Sequence, residues 1–296
     1  MRWRSWALGI VAALLYGCGT PVDAPVTRSV SVNGVQLVYE SQGTGRPVVF
    51  VHGAFADHRI WDAQRSSVAS HHRFVALTLR YFGSQPWPDQ GEHFSQETHV
   101  QDLVAFVRTL DGRPVVLVGR SYGAYTALLV ALRHPELVHG LVLNEPPVAS
   151  LLTTPPERAA LAEAGQAMAP LRAAVQAGRN DEATRLFADW TNGEPGGFDA
   201  LPPATQRMHL DSARTVPLQL ATRNVPITCE QLGRLTIPTV VTKGELSRAN
   251  FRLAADAIHR CVPRSQLIEI PGARHGAPSQ TPRAFNEVLL RFLSRP

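Results

Sequence analysis

The segment Gly-Arg-Ser-Tyr-Gly at residues 119–123 contains the residue types that a nucleophilic serine needs. A G-x-S-x-G pattern is short enough to occur by accident, so the segments on either side decide its meaning. An apolar strand is predicted over 114–118 and a helix over 122–133, and a sharp turn between them lifts a serine above a sheet edge. The sequence therefore predicts Ser121 as a nucleophile, and the competing interpretation is a serine that only caps the helix.

A serine hydroxyl becomes reactive near neutral pH only when a base removes its proton, so a histidine is required at the same sheet edge. His275 meets this requirement, because its glycine-containing loop at 271–276 follows the last apolar strand and precedes the final helix. Other histidines precede a strand or lie in or at the end of a helix, namely His71, His72, His134 and His259. We therefore predict that His275 is the general base.

A carboxylate is then needed to fix the tautomer of the histidine and to stabilise its protonated form. Glu145 follows the apolar strand at 138–143, and two prolines directly after it end that strand. Glu245 follows the next strand, at 239–243. Both positions lie at the carboxyl end of a predicted strand, so the chain offers two candidates for the acid.

The glycine turn His-Gly-Ala-Phe at 52–55 follows another apolar strand and predicts an oxyanion hole. Acyl transfer develops negative charge on the carbonyl oxygen, and backbone N–H groups aimed at that oxygen stabilise it. We assign this role to the N–H of Tyr122 together with that of Ala54 or Phe55. His52 is interpreted as a structural residue of the turn.

Apolar and helical segments alternate along most of the chain, which is typical of a doubly wound α/β fold with a mostly parallel sheet. Residues 27–41 form a predicted hairpin around Asn33-Gly34. Continuous apolar segments predict strands that are buried on both faces, at 47–51, 74–79, 114–118, 138–143, 239–243 and 266–270. Helices are predicted at 59–70, 96–110, 122–133, 249–260 and 282–293.

The alternation stops within 147–233, which we interpret as a helical lid inserted into a core of residues 27–146 and 234–296. Its helices are predicted at 157–176 and 181–190. The lid is rich in Ala and Leu and contains Phe187 and Trp190, which favours a mainly apolar pocket for a small or medium uncharged acyl substrate.

The N-terminal residues 1–18 have the pattern of a signal peptide, with a positive start and a short apolar run. The run ends in Leu-Tyr-Gly-Cys, which is similar to a bacterial lipobox and predicts lipidation of Cys18, with 19–26 as a tether. The expected location is the periplasmic face of a bacterial membrane, through the lipid anchor. The bulky Tyr16 keeps ordinary cleavage as the alternative, which would give a soluble periplasmic or secreted protein.

Lipidation of Cys18 leaves Cys229 and Cys261 as an even pair in an oxidising compartment. They form either a disulfide or two separate thiols, because the sequence does not give their distance.

Charge and motifs argue against several other classes of function. Removing Arg2 and Arg4 with the signal peptide lowers the formal net charge from +5 to +3, and the remaining arginines are scattered, so nucleic-acid binding is not expected. No metal-ligand spacing, phosphate-binding loop or dinucleotide fingerprint occurs, so no cofactor is predicted. The expected partner is a small acyl substrate.

The motif order and the terminal histidine loop resemble the α/β-hydrolase family over nearly everything after Thr27. In many members the acid closes a Gly-Glu-x-Asp pattern after the later strand, but here that position is Ser247. Some lactonases and haloalkane dehalogenases instead place a glutamate after the preceding strand, the sixth, as Glu145 stands here. The resemblance therefore favours Glu145 over Glu245 as the acid.

The resemblance also indicates the chemistry. Dehalogenases and epoxide hydrolases of this family use aspartate as the nucleophile, whereas this chain has Ser121. The resemblance thus implies a cofactor-independent hydrolase of an ester or a lactone that works through an acyl-enzyme. Carbon–carbon bond hydrolysis and perhydrolase activity are compatible with the same triad. A lipid-anchored binding or sensing protein on an inactive hydrolase scaffold is the alternative, and Ser247 is the feature that favours it.

Overall fold

An eight-stranded sheet forms the centre of the computed structural model, which describes residues 23–295. The strands are β1 (Val26–Val32), β2 (Val35–Gln42), β3 (Pro47–Val51), β4 (Arg73–Leu77), β5 (Val115–Arg120), β6 (Val138–Asn144), β7 (Thr239–Gly244) and β8 (Ser265–Ile270). Their order across the sheet is β1-β2-β4-β3-β5-β6-β7-β8. The predicted signal peptide, Cys18 and residues 19–22 of the predicted tether lie outside the described residues, and Val26, the last residue of that predicted tether, begins β1.

The first two strands form the predicted hairpin. Asn33 and Gly34 both have positive φ angles, of 46° and 77°, which is the backbone geometry that an Asn-Gly turn provides. The strand β2 pairs antiparallel with β1 and β4, and every other strand pair of the sheet is parallel. The predicted doubly wound α/β class is thus confirmed.

Alternate side chains of β3 enter two different hydrophobic cores. Val49 and Val51 pack on one face of the sheet, whereas Val48 and Phe50 pack on the other, and all four are fully buried. A strand with apolar neighbours on both faces has no polar alternation. The continuous apolar runs of the sequence are explained by this burial.

Helices cover both faces of the sheet and form the segment between β6 and β7. Outside that segment they are α1 (Asp62–Ala69), α2 (Gln96–Thr109), α3 (Tyr122–Arg133), α10 (Ala249–Cys261), α11 (Ala277–Gln280) and α12 (Pro282–Leu293). Within it they are α4 (Pro155–Ala167), α5 (Ala169–Gln176), α6 (Asn180–Asn192), α7 (Pro203–Asp211), α8 (Val216–Ala221) and α9 (Cys229–Gly233). We keep the name lid for residues 147–233. In the described part of the chain, no helix is both long enough and apolar enough to span a membrane.

Three predicted boundaries are wrong for local reasons. The fourth strand ends at Leu77 rather than residue 79, because the N–H of Leu79 donates to the His52 ring instead of extending the ladder. The helix predicted at 59–70 begins as a 3-10 turn, His58–Trp61. The helix predicted at 157–176 is two helices, α4 and α5, because Pro170 in the first turn of α5 has no N–H to continue the ladder of α4.

Candidate active site

Ser121 occupies the sharp turn between β5 and α3. Its φ of 52° and ψ of −120° are unusual for a residue with a side chain, so the surrounding structure must hold the turn in place. The N–H of Ser121 donates to the carbonyl of Asn144 on the neighbouring strand β6, at 2.8 Å. The side chain is buried from bulk solvent and lines a cavity beneath the lid.

The two glycines of the motif allow the backbone segments around this turn to touch. A Cβ atom on Gly119 would lie 2.4 Å from the Cα of Ala124 in α3. A Cβ atom on Gly123 would lie 2.2 Å from the carbonyl oxygen of His52. Real Cβ contacts are never this short, so only glycine permits this packing of β5, α3 and the 52–55 loop.

His275 and Glu145 form a buried pair at the same edge of the sheet. The Nδ1 of His275 lies 2.6 Å from Oε2 of Glu145, and both residues are at most 2% exposed. The other oxygen of Glu145, Oε1, accepts from the N–H of Gly244 at 2.8 Å. Since the carboxylate accepts from His275 Nδ1, a neutral His275 carries its proton there and keeps Nε2 as a free base.

The other candidate acid does not contact His275 in this structure. Glu245 is exposed, and its Oε2 accepts from the N–H of Gly272 at 2.8 Å. The structure thus brings Ser121 and His275 to one cavity, with Glu145 bonded to His275, and leaves Glu245 outside this group.

Burial lowers the pKa of His275 below its ordinary value of 6.5. The hydrogen bond and the negative charge of Glu145 act in the opposite direction, but they do not overcome the loss of solvation. The ring also stacks on Phe251, with 3.8 Å between the ring centres. His275 is therefore held in one orientation and is neutral at pH 7, as a general base must be.

The turn at 52–55 lies against the serine. A Cβ atom on Gly53 would be 3.3 Å from the Cβ of Ser121, and Phe55 has a positive φ of 55°. Within residues 23–295, the N–H groups of Ala54, Phe55 and Tyr122 donate to no protein acceptor. All three N–H groups therefore remain available to an oxygen atom beside Ser121.

His52 is a structural residue of this turn. Its Nδ1 donates to the carbonyl of Gly53 at 2.8 Å, and its Nε2 accepts from the N–H of Leu79 at 3.0 Å. Burial lowers its pKa to about 4, so the ring is neutral and both nitrogen atoms are engaged. His52 supports the loop and does not act as a base.

Two histidines that sequence reasoning missed, the buried His99 and the half-buried His209, support the same loops. His99 accepts from the Tyr122 hydroxyl through Nδ1 at 2.7 Å, since its other nitrogen donates to the carbonyl of Arg80. The Nδ1 of His209, in the lid, donates to the carbonyl of Phe55 at 2.6 Å. Neither histidine belongs to a motif, so only the tertiary structure reveals these contacts.

A cavity of about 30 Å³ joins Ser121 and His275 to the lid, which is room for roughly two water molecules. The lining is mixed: ten of its seventeen residues have polar side chains, and apolar atoms supply at least as much of its surface as polar atoms do. Phe187 lines the cavity, but Trp190 packs on Phe251 instead. The polar lining residues other than Ser121 and His275 are Arg120, Thr184, Thr191, Asn192, Thr205, His209, Ser279 and Gln280.

A disulfide links the lid to the core at some distance from this cavity. Cys229 in α9 and Cys261 in α10 have bonded sulfur atoms and Cα atoms 5.0 Å apart. Among residues 23–295, no group of three or more His, Cys, Asp or Glu side chains is arranged to hold a metal ion.

The fold and this arrangement define an α/β hydrolase with a serine at the nucleophile turn. Residues 48–288 match the Alpha/beta hydrolase family. Because this match covers most of the chain, the protein belongs to that family.

The names of similar proteins describe different activities, and a similar solved structure shows the same fold. A 2-hydroxy-6-oxo-6-(2'-aminophenyl)hexa-2,4-dienoic acid hydrolase of Metapseudomonas resinovorans is 34% identical over 41% of this chain and 42% of its own length. This chain thus matches less than half of that relative. A putative non-heme bromoperoxidase of Mycobacterium tuberculosis is 28% identical over 88% of this chain and 98% of its own. A Bacillus subtilis carboxylesterase structure superposes with a TM-score of 0.73 at 17% identity, covering 92% of each chain.

Proposed function

We propose that the protein is a serine hydrolase that cleaves a carboxylic ester or lactone through an acyl-enzyme. Ser121 is the nucleophile, His275 the general base and Glu145 the acid of the triad. The observation that carries this proposal is the 2.6 Å contact between His275 Nδ1 and Glu145 Oε2, beside a serine held at a positive φ.

In the first half of the reaction, His275 Nε2 takes the proton of Ser121 while the serine oxygen attacks the acyl carbonyl. The negative charge that develops on the carbonyl oxygen is stabilised by the N–H groups of Tyr122 and of Ala54 or Phe55. His275 then donates its proton to the departing alcohol. In the second half, His275 activates a water molecule that hydrolyses the acyl-enzyme and regenerates Ser121.

Glu145 contributes by holding His275 in the productive tautomer and by stabilising its positive charge during each proton transfer. It is fixed for this role, because its own backbone N–H donates to the carbonyl of Thr242 and its Oε1 accepts from Gly244. No cofactor is required for these steps.

The proposal is tested by turnover of a panel of p-nitrophenyl esters and aliphatic lactones, in parallel with labelling by a serine-directed fluorophosphonate. The variants are Ser121→Ala, Glu145→Gln and the matched control Glu245→Gln. We expect turnover and labelling to vanish in the Ser121 variant, to fall strongly in the Glu145 variant and to persist in the Glu245 variant. Intact protein that resists the fluorophosphonate and turns over no ester or lactone would support the inactive binding scaffold instead.

Hydrolysis of a carbon–carbon bond is the second candidate, and the relative from Metapseudomonas resinovorans favours it. The name of that protein describes a hydrolase of a hydroxy-oxo-dienoic acid. The same nucleophile and base can cleave the bond next to a ketone if the carbon leaving group is protonated. Turnover of such an oxo-dienoic acid without turnover of any ester or lactone would select this candidate over the first.

We also propose that the protein is exported and anchored by a lipid on Cys18, as its N-terminal sequence predicts. Cys18→Ser should abolish labelling by a palmitate analogue in cells and should move the protein out of the membrane fraction. The anchor is contradicted if the Cys18→Ser variant leaves the membrane fraction but the intact protein carries no lipid label.

A further inference from the structure

Arg120 places a positive charge in the catalytic cavity without a partner. Its side chain lines the cavity beside Ser121, and it is only partly exposed. Within residues 23–295, its guanidinium makes no hydrogen bond and no ion pair, and its Nε is buried without an acceptor. A guanidinium N–H that is buried without an acceptor is costly, so such a group in a native site usually has a reason.

Three other arginines near the lid have acceptors. Their partners are Asp57 and Asp211 for Arg59, the Trp190 carbonyl for Arg248, and the Asn192 carbonyl with Glu194 for Arg274. The lid arginines without an acceptor among the described residues are all exposed to solvent, namely Arg158, Arg207, Arg214 and Arg223. Arg120 differs from them because it is only partly exposed and still has no acceptor.

The nearby carboxylate does not neutralise Arg120. Glu145 lies close enough to favour the charged guanidinium, but its two oxygens accept from His275 and Gly244. Burial lowers the pKa of Arg120 to about 10, which still leaves the side chain protonated at pH 7. The cavity thus contains a full positive charge whose five N–H donors are unused.

Several other polar groups of the lining are already satisfied by the protein. The hydroxyls of Thr184, Thr191 and Ser279 donate to backbone carbonyls, and the Gln280 amide donates to Asn192. Arg120 therefore stands out in the lining as a strong donor that a ligand could use.

We propose that Arg120 binds a carboxylate of the substrate, so that the preferred substrates are acyl compounds with a free carboxylate near the scissile carbonyl. This inference rests on the proposed function. The planar guanidinium matches a carboxylate with two parallel hydrogen bonds. Arg120 directly precedes Ser121, so their Cα atoms are only about 3.8 Å apart, and both residues line the same cavity. A carboxylate bound by Arg120 is therefore held close to the carbonyl that the serine attacks. Half-esters of short dicarboxylic acids have this form.

The small cavity limits how such a substrate enters. Its volume of about 30 Å³ leaves little room for an acyl chain, so we expect α6 and α7, which contribute to the lining, to shift outward during binding. The bound carboxylate then supplies the acceptor that Arg120 lacks among the described residues.

The experiment compares monomethyl glutarate with methyl 5-methylhexanoate, in which an isopropyl group replaces the carboxylate at nearly constant shape. Hydrolysis is followed by pH-stat titration. The quantity compared is the ratio of kcat/KM for monomethyl glutarate to kcat/KM for methyl 5-methylhexanoate. We expect a ratio well above one in the intact protein. Arg120→Gln should lower the ratio about 10- to 100-fold, since hydrogen bonds to charged groups contribute factors of this size.

Arg283→Gln is the matched control, because it also removes one positive charge but from a side chain that is 94% exposed on α12. It should leave the ratio unchanged. A ratio near one in the intact protein, or an unchanged ratio in Arg120→Gln, overturns the role of Arg120. Intact protein that hydrolyses neither ester and resists fluorophosphonate contradicts the proposed function instead.

A second measurement covers the case in which Arg120→Gln does not fold. Glutarate and its uncharged isostere glutaramide are compared as protectants of the intact protein against fluorophosphonate labelling. We expect glutarate to protect at an at least tenfold lower concentration. Equal protection by the two compounds contradicts the inference, because glutaramide has no carboxylate.

Discussion

Replacing Glu145 by glutamine separates the role of its charge and geometry from its size. In the structure Oε1 faces the N–H donor of Gly244 and Oε2 faces Nδ1 of His275. The amide oxygen of a glutamine must remain opposite Gly244, because an NH₂ group there would face another donor. The NH₂ group then points at His275 and donates to Nδ1. The histidine proton is thereby forced onto Nε2, where it can no longer accept the proton of Ser121.

A wrong tautomer of this kind lowers kcat by about 10⁴-fold, which corresponds to roughly 5.5 kcal/mol of transition-state stabilisation. The assay is kcat on a p-nitrophenyl ester, with the rate of fluorophosphonate labelling as a second reading of serine reactivity. Glu245→Gln should change kcat by less than twofold, because that carboxylate is exposed and bonds only the Gly272 N–H among the described residues.

The assignment of Glu145 as the acid is refuted if Glu145→Gln retains more than a tenth of the kcat of the intact protein while Glu245→Gln loses most of it. Such a result would mean that Glu245, after β7, rather than Glu145 contacts His275 in solution. Thermal unfolding of both variants shows whether either one is misfolded. A folded Glu145→Gln protein should also retain the KM of the intact protein for a slowly hydrolysed ester.

Three further predictions concern pH, packing and the disulfide. Burial holds the pKa of His275 below 6.5, so His275 stays a neutral base down to that pH. The value of kcat/KM should therefore be retained as the pH falls to 6.5 and be lost only at lower pH. A loss of kcat/KM that is centred above pH 6.5 contradicts this prediction. Gly123→Ala should abolish activity and destabilise the fold by at least about 2 kcal/mol, whereas Gly165→Ala, with no atom near its Cβ position, should stabilise it by about 0.5–1 kcal/mol in thermal unfolding. Replacing Cys229 and Cys261 by serine should lower the free energy of unfolding in urea by about 3–4 kcal/mol, given a sequence separation of 32, and equal stability of the double variant would count against the bond.

The sequence predicted the sheet well because its strands are buried on both faces. Continuous apolar runs such as 47–51 have one structural interpretation when helical segments separate them. The helix α3 was predicted without error at both ends, since the glycine turn begins it and Arg133 precedes a proline-containing turn. The lid was harder, because its short amphipathic helices are broken by prolines and bends that a 3.6-residue period does not reveal.

The site was predicted unevenly for a similar reason. Residues such as Ser121 and His275 belong to local patterns, so their positions follow from the strand order. The composition of the cavity depends on which faces of α6 and α7 turn inward, and that depends on the tertiary packing of the lid. The polar side chains of the lining were not predicted, because the composition of the lid says which residues are present but not which ones reach the serine.

Asn144 shows how placing the acid on β6 couples the three groups of the site. Its carbonyl accepts the N–H of Ser121, its side-chain amide donates to the carbonyl of His275 at 3.2 Å, and the next residue is Glu145. The amide oxygen of Asn144 in turn accepts from the Thr242 hydroxyl on β7 at 3.0 Å. One strand end thus connects Ser121, His275 and Glu145, the proposed nucleophile, base and acid. An acid after β7 would lack this direct backbone connection to the serine, so Ser247 at the other position does not imply an incomplete site.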